Sequence, residues 1–245
     1  MQPNQQNQQK WGVRSVFSAS EIILEVKFGE GGDDSKNFVD ELFSAYLKYS
    51  QSLNFKAELL HSDFGHKTAK ISGEGVGYCF SQEPGKHVCQ RIPETETKGR
   101  KQTSVVSVAV LPLRKDVSEP LAEADLKVEA VNLGGSGGQH CNRSLSGCRM
   151  THLPTGLKAV INGRDYHSNE RQAREILTAR VNEAKQSEED AEYGANRKEQ
   201  MQGGSRSGKV RTYNFMESRV KDHILGTKTG NIKAIMKGQF EKILK

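Results

Sequence analysis

The sequence predicts an α+β protein of two modules: an antiparallel sheet with helices, and a small α/β domain with a long helix. Residues 21–28 place apolar side chains at every second position, as a half-buried strand does. Helical stripes of apolar residues follow at 35–51 and from about Ser168 onward. A charged stretch with a proline lies between them at 113–124 and indicates a boundary between the modules.

The first module begins with a strand and a helix. Residues 1–20 are expected to be a disordered tail, because the Gln/Asn-rich start offers almost nothing to bury. The strand at 21–28 ends in a run of glycines. Asp33 and Asp34 then open the helix at 35–51, where acids are favourable near the positive end of the helix dipole. Further strands are expected at 55–60, 67–72, 76–81 and 103–111.

The second module is expected to contain three strands and the long helix. A strand at 126–131 leads into a glycine-rich loop, and two more strand-like stretches flank Pro154-Thr155-Gly156, which has the chemistry of a hairpin turn. Ser168 is the expected N-cap of the long helix. Residues 201–208 are rich in Gly and Ser and predict a flexible connector, after which ordered patterning, ending in a helical stretch, resumes up to Lys245.

Composition and charge narrow the class of protein. The formal net charge of +6 and the sequence pI of about 9.1 favour an anionic partner, of which nucleic acid is the commonest. No apolar stretch approaches the ~18 residues of a membrane span, and no secretory signal is recognisable. We therefore expect a cytoplasmic protein without a membrane partner. Its four cysteines form no C-x-x-C pair and are expected to be free thiols: Cys79, Cys89, Cys141 and Cys148.

The sharpest local feature is the loop Gly134-Gly135-Ser136-Gly137-Gly138-Gln139-His140. Its glycines permit backbone conformations closed to other residues and let N–H groups approach a ligand closely. A nucleotide-binding loop is disfavoured, because no Gly-Lys-Ser/Thr ending follows. A structural hinge stays open on the loop alone. No metal-ligand set or Ser/His/Asp arrangement is evident, so we expect neither a metal nor a cofactor.

The sequence after the loop carries further motifs in a fixed order. Asn142 follows His140, Arg149 precedes the run THLPTG at 151–156, and a polar helix start follows near Ser168. This order resembles the catalytic domain of bacterial-type class I peptide chain release factors. The spacing departs from the family at the last motif, where Asn169 follows Ser168 directly.

The resemblance extends through the first half of the chain. Residues 25–49 are similar to the strand, glycine turn and helix of the family's codon-recognition domain, and residues 87–112 to its decoding segment. Pro93-Glu94-Thr95 matches the Pro-x-Thr of the branch that reads UAA and UAG, whereas the Ser-Pro-Phe of the UGA branch is absent. Residues 209–223 resemble the segment that returns the chain to the decoding module.

The resemblance implies a domain organisation. A tail at 1–20 precedes a codon-recognition module made of 21–118 with 209–245; the peptidyl-tRNA hydrolysis domain covers 119–200, and the connector covers 201–208. In the family a helical N-terminal domain, associated with recycling by a GTPase, precedes the decoding module. We find no counterpart before residue 21, and the expectation is a family member lacking that domain.

The implied function is stop-codon-dependent release of the nascent peptide. Gly137 and Gly138 would shape the loop, while the Gln139 backbone N–H stabilises charge on the reacting ester and its side chain shapes the space for water. The implied partners are the decoding and peptidyl transferase centres of the ribosome, the stop codon and peptidyl-tRNA. Gln139 is a candidate for methylation by a glutamine methyltransferase. The protein would act as a monomer and not as a stand-alone enzyme.

The resemblance also assigns the codon-reading residues. Backbone groups near Gly31 and Asp34 would meet the first uridine, and Thr95, in the tripeptide with Pro93 and Glu94, the second-position purine. Gln90 and Thr103 would read the third base, since an amide and a hydroxyl can each donate and accept. Gln102 stands where the family usually has histidine; because an amide stacks on a base less well than an imidazole, either codon discrimination is altered or the change is tolerated.

Two other functions remain open. A ribosome-rescue hydrolase uses the same chemistry without a stop codon, but such proteins resemble only the Gly-Gly-Gln domain with a basic tail, so residues 21–113 argue against it. A non-catalytic ribosome-binding paralogue would not need an intact Gly137-Gly138-Gln139. For a termination factor, the connector at 203–208 is expected to permit compact and extended arrangements, which would couple codon reading to the placement of Gln139.

Overall fold

The computed structural model describes residues 14–93, 96, 99–113, 120–132, 146–202 and 208–244. It divides into two compact units. The first unit comprises Met1–Arg114 and Tyr193–Lys245, and the second comprises Lys115–Glu192. No helix among the described residues is long and apolar enough to span a bilayer.

Helices and strands alternate irregularly along the chain, as expected for an α+β protein. The first half contains α1 (Arg14–Phe17), β1 (Glu21–Phe28), α2 (Gly32–Ser52), β2 (Lys56–Asp63), β3 (His66–Ser72), α3 (Val76–Phe80), β4 (Gly85–Arg91) and β5 (Gln102–Pro112). The second half contains β6 (Leu126–Val131), β7 (Gly147–His152), β8 (Lys158–Ile161), α4 (Tyr166–Gln202), β9 (Lys209–Asn214), β10 (Arg219–Asp222), β11 (Lys228–Thr229) and α5 (Ile232–Met236).

The first unit is built on an eight-stranded sheet in the order β11-β10-β9-β4-β5-β1-β3-β2. All neighbours are antiparallel except β4 and β9, which run parallel. A parallel pair needs a long crossover between its strands. Here the chain between β4 and β9 includes the whole second unit, so the parallel pairing places the returning segment beside β4.

Helix α2 covers one face of this sheet. Its buried stripe includes Phe38, Leu42 and Tyr46, and it packs against alternate residues of the central strands. Ile22, Leu24 and Val26 of β1 point to that face and are fully buried; so are Val106, Val108 and Val110 of β5. The period-two and helical patterns therefore predicted the central strands and the helix correctly.

The first unit differs from the expectations in three places. The stretch expected as a strand at 76–81 forms α3 (Val76–Phe80), because Gly75 adopts a left-handed φ of 78° and Gly77 packs so closely on the backbone of Val16 that a side chain has no room. Strand β4 was not predicted, because its buried face carries the polar His87. Within the expected tail, α1 forms and buries Val16; residues 1–13 lie outside the described part.

The second unit is a three-stranded antiparallel sheet, in the order β6-β7-β8, covered by α4. The hairpin between β7 and β8 forms as predicted. The expected N-cap at Ser168 is wrong: the Asp165 carboxylate accepts the Ser168 N–H at 2.9 Å, and α4 begins at Tyr166. The small core consists of Cys148, Met150, Ala159, Ala173, Leu177 and Val181.

The end of the chain differs from the helical stretch expected up to Lys245. Strands β10 and β11 come first, and only the short helix α5 and a turn of 3-10 helix at Phe240–Lys242 follow. The apolar residues of this segment are spaced closely enough to suggest a longer helix, but Gly226, Gly230 and Gly238 divide it. Among the described residues, Cys79, Cys89 and Cys148 are free thiols; Cys141 is outside them.

Candidate functional site

Several predicted site residues lie outside the part of the chain that the structure describes. These are Gly137, Gly138 and Gln139 of the glycine loop, and Glu94 and Thr95 of the decoding segment. The geometry of the candidate site therefore rests on the residues that surround them.

The glycine turn before α2 lies directly on strand β5. The Gly29 N–H donates to the Val105 carbonyl at 2.8 Å, and the Val105 N–H donates to the Glu30 carbonyl at 2.7 Å. Gly31 has a φ of 127°, and a Cβ placed on it would lie 2.5 Å from the Ser104 hydroxyl oxygen. Only glycine fits at this position, both for its backbone conformation and for space.

The Asp34 side chain points inward, toward β4 and β5. It is 5% exposed, and its two oxygens accept separate hydrogen bonds: one from Arg91 Nε at 2.7 Å and one from the Ser104 hydroxyl at 2.6 Å. The N-cap residue of α2 is Gly31, which has no side chain to accept a hydrogen bond from the first turn. Because the first N–H groups of a helix have no partner within it, the start of α2 can offer backbone donors, whereas the Asp34 carboxylate holds the helix in place.

Arg91 connects the end of β4 to α2. Besides Asp34, it donates to both oxygens of Glu41, at 2.7 and 2.9 Å, and its guanidinium lies 5.3 Å from the centre of the Phe215 ring. Partial burial by itself lowers the pKa of Arg91, but the hydrogen bonds to Glu41 and Asp34 outweigh it and raise the pKa. The arginine stays charged and connects the end of β4 to α2.

Gln90 and Thr103 lie opposite each other on the antiparallel strands β4 and β5. Residues in such a pair have Cβ atoms about 4.5–5.5 Å apart. Strand alternation puts both on the face opposite α2, because their neighbours Cys89 and Ser104 are buried on the α2 side. The Gln90 carbonyl also accepts the Phe215 N–H at 3.0 Å. The two predicted third-base readers are thus adjacent on two paired strands of the sheet.

Gln102 and Pro93 border the segment between β4 and β5. The Gln102 amide nitrogen donates to Glu96 at 2.8 Å, and Arg100 donates to the same carboxylate at 3.3 Å. A carboxylate only accepts, so this contact orients the Gln102 amide with its oxygen turned away from Glu96. Pro93 is buried, and its carbonyl accepts the Glu96 N–H at 3.0 Å.

The described site residues fall into two groups. Gly31, Asp34 and Gln102 lie on the α2 side of the strands, whereas Gln90 and Thr103 lie on the opposite side. Sequence reasoning missed four residues that hold these side chains in place: Arg91, Glu41, Ser104 and Glu96. Only the position of Ser104, next to Thr103 and within a strand whose alternate residues are apolar, could have drawn attention to it.

The base of the glycine loop is closely held in the second unit. Val131, the last residue of β6, pairs with Gly147, the first of β7. Asn169 of α4 is 4% exposed and donates from its side chain to the Ser146 carbonyl at 2.8 Å. The sequence departure at Ser168-Asn169 therefore coincides with a residue that anchors the strand leaving the loop.

Comparison with known proteins adds to this geometry. The family model described as the PCRF domain matches residues 7–108, and the one described as the RF-1 domain matches residues 115–224. Peptide chain release factor 1 of Staphylococcus saprophyticus is 36% identical over 230 residues, which are 91% of this chain and 64% of the relative. Peptide chain release factor 1 of Paracoccus denitrificans is 37% identical over 237 residues, 94% of this chain and 68% of the relative.

A solved structure, RF2 of Thermus thermophilus, has a similar fold. The TM-score is 0.54 at 24% sequence identity, over 94% of this chain and 68% of that one. At this identity the likeness concerns the fold alone. The chain spans about 64% of the length of the first of these relatives.

Proposed function

This chain belongs to the peptide chain release factor family, and we propose that it ends protein synthesis by reading UAA and UAG on the ribosome and promoting hydrolysis of peptidyl-tRNA. The observation that carries the proposal is the pair of hydrogen bonds that the Asp34 carboxylate accepts from Arg91 and Ser104, because they fix the start of α2 against both β4 and β5. A protein that reads a triplet must hold its donors and acceptors at fixed separations. The two hydrogen bonds to Asp34 hold residues that are far apart in sequence at fixed separations.

The codon-reading roles follow from the two groups of residues. Unstacked bases of a single strand expose their Watson–Crick edges. The N–H groups at the start of α2, near Gly31 and Asp34, suit the acceptor oxygens of the first uridine. Gln90 and Thr103 suit a third-position A or G, because each side chain can donate and accept. The tripeptide Pro93-Glu94-Thr95 is assigned to the second position by resemblance and supports the UAA/UAG branch.

Gln102 is the point where codon reading is expected to differ from that of relatives with histidine. Its amide is held by Glu96, so it presents an oriented oxygen and no aromatic ring for a base to stack on. We propose that this weakens discrimination by stacking while it leaves the hydrogen-bond readers in place.

Hydrolysis is assigned to Gly137-Gly138-Gln139. The Gln139 backbone N–H would stabilise the developing charge on the ester, and the two glycines would let it approach. The ribosomal RNA and the terminal ribose of the tRNA would supply the remaining groups, so the protein is not a stand-alone enzyme. Under this proposal it works as a cytoplasmic monomer, without cofactor or metal, and Gln139 is open to methylation by a glutamine methyltransferase.

The substitution Gly138→Ala tests the hydrolysis proposal. Removal of one donor at an oxyanion site typically costs about 10²–10³ in rate, so the maximal rate of peptide release on UAA complexes should fall that far while the half-saturating protein concentration stays unchanged. Gly194→Ala is the matched control, because a Cβ at Gly194 in α4 meets open space. An unchanged release rate with Gly138→Ala at saturating protein would contradict the assignment.

A further inference from the structure

Three lysines lie in one row on the sheet face opposite α2. Lys27 of β1 pairs with Ser107 of β5, Ser107 pairs with Lys86 of β4, and Lys86 pairs with Lys209 of β9. A β-bulge follows directly after Lys86 and Lys209. Since neighbouring strands are about 4.8 Å apart, the row is about 14 Å long and crosses four strands.

The row lines a groove of about 600 Å³ in the first unit. Ser107 is nearly buried, as expected for a residue on the floor, and Val88 and Val105 line the groove beside it. Thr103 lines it as well. Thr103 and Ser107 are four residues apart on β5, or about 13 Å, so the groove extends from a proposed third-base reader to the lysine row.

The charge of this groove is not neutralised within the described residues. None of the ion pairs found there, at 4 Å or less, involves Lys27, Lys86 or Lys209. Glu30 is the acid among the lining residues. Three other lysines of the first unit do have partners: Lys36 with Asp33, Lys67 with Asp40 and Lys70 with Glu21.

An unneutralised row of ammonium groups favours a polyanion. Lysines that neutralise phosphates gain free energy by releasing the counterions of the nucleic acid. A positively charged groove that follows the backbone is one of the means by which proteins bind single-stranded nucleic acid without sequence preference.

We propose that this groove binds the phosphates of the messenger RNA immediately 3′ of the stop codon. The inference rests on the proposed function, because it takes Thr103 as a reader of the third base. The strand that continues beyond that base then passes along the groove, where Lys27, Lys86 and Lys209 contact its phosphates and Ser107 can donate a hydrogen bond. The protein therefore binds the nucleotides that follow the codon through their backbone.

The test compares two messenger RNAs in otherwise identical ribosome complexes with UAA in the decoding site. One RNA ends at the third nucleotide of the codon and the other continues downstream. Binding of the labelled full chain is measured over a series of salt concentrations for the wild type and for the combined variant Lys27→Gln, Lys86→Gln, Lys209→Gln. The control carries Lys48→Gln, Lys56→Gln and Lys237→Gln, three exposed lysines outside the groove.

We expect the wild type and the control to bind the longer RNA more tightly, and this advantage to vanish in the groove variant. At about 0.7 per phosphate for single strands, loss of three contacts should make the slope of log affinity against log salt shallower by about 2, on the longer RNA only. If the groove variant binds the complexes with both RNAs equally more weakly than the wild type, the lysines contact ribosomal RNA and the proposal is overturned. The proposal is also overturned if the variant binds both complexes as tightly as the wild type. Release is scored in parallel: binding without release on UAA would overturn the proposed termination function and not the groove.

Discussion

The two units of this protein differ in how they use charge. In the first unit Arg211 is completely buried between two acids, whereas in the second unit Arg174 pairs with Glu123 at the surface. A buried ion pair is costly to break and specifies one arrangement, while an exposed pair contributes little. The buried ion pairs of the first unit therefore specify one arrangement of its strands, whereas the exposed pair of the second unit contributes little to its stability.

The buried cluster connects the returning segment to the rest of the first unit. Arg211 of β9 donates to both oxygens of Glu83, at 2.6 and 2.7 Å, and to Asp222 of β10 at 2.8 Å. The Tyr46 hydroxyl of α2 donates to Glu83 at 2.7 Å. Burial alone lowers the pKa of Arg211, but the acids around it raise it well above its usual value. The arginine is therefore a permanent charge that fixes β9 beside β4.

The largest expected effect is on the stability of the first unit. Arg211→Met leaves Glu83 and Asp222 buried without their partner, and such a loss costs about 3–5 kcal/mol in free energy of unfolding. Arg174→Met, in the exposed pair of the second unit, should leave stability nearly unchanged. Denaturant unfolding of both variants checks the comparison, and similar losses in the two would remove the contrast between the units.

A pH dependence should follow from His87, which is fully buried in the same cluster. Its Nε2–H donates to the Glu83 carbonyl at 2.9 Å, and burial, followed by the charge of Arg211, lowers its pKa to about 3. In the unfolded chain the histidine binds a proton below about pH 6.5, whereas in the folded protein it does so only below about pH 3. Between these two pH values, unfolding therefore takes up a proton. Stability should fall as the pH drops from 6.5 towards 3, by up to about 1.4 kcal/mol per pH unit.

The variant His87→Gln isolates this contribution. Glutamine can still donate to the Glu83 carbonyl but does not titrate in this range. Unfolding midpoints measured as the pH is lowered should fall less steeply for the variant than for the wild type. Parallel slopes would show that other groups, such as the carboxylate of Glu25, whose pKa is also lowered, account for the acid sensitivity.

A smaller effect is expected at the glycines before α2. Gly31→Ala must place a Cβ 2.5 Å from the Ser104 hydroxyl oxygen at a φ of 127°, whereas Gly32, at a φ of 59°, has open space around it. Strained backbone of this kind costs about 1–3 kcal/mol. At Gly31 the start of α2 would also have to move away from β5 to remove the contact with Ser104. Binding to UAA complexes should weaken more for Gly31→Ala than for Gly32→Ala. Equal binding would mean that the close contact does not matter for codon reading.

The sequence predicted local structure better than the contacts that fix it. Strand β1 and helix α2 follow from spacing alone, because their apolar residues repeat with the period of each element. Strand β4 was missed because its inward-facing His87 is polar and is buried only through partners from Glu83 and Tyr213. A residue whose burial depends on distant polar partners leaves no local pattern.

The same limit applies to the candidate site. Gly31 and Asp34 could be selected from the sequence, but not the inward direction of the Asp34 carboxylate, which depends on Arg91 and Ser104, 57 and 70 residues away. The groove lined by the three lysines could not be predicted from the sequence either. Lys27, Lys86 and Lys209 come together only through the register of four strands, one of them reached after the second unit.

The central claim is that the first unit reads a stop codon and the second releases the peptide. The most direct measurement is single-turnover release of labelled peptide from ribosome complexes carrying UAA, UAG, UGA, a sense codon or no codon, with the wild type and Gln102→His. We predict rapid release on UAA and UAG only, with sharper discrimination against UGA in the histidine variant. Equal release from all complexes, including the one without a codon, would contradict the account and indicate a rescue hydrolase.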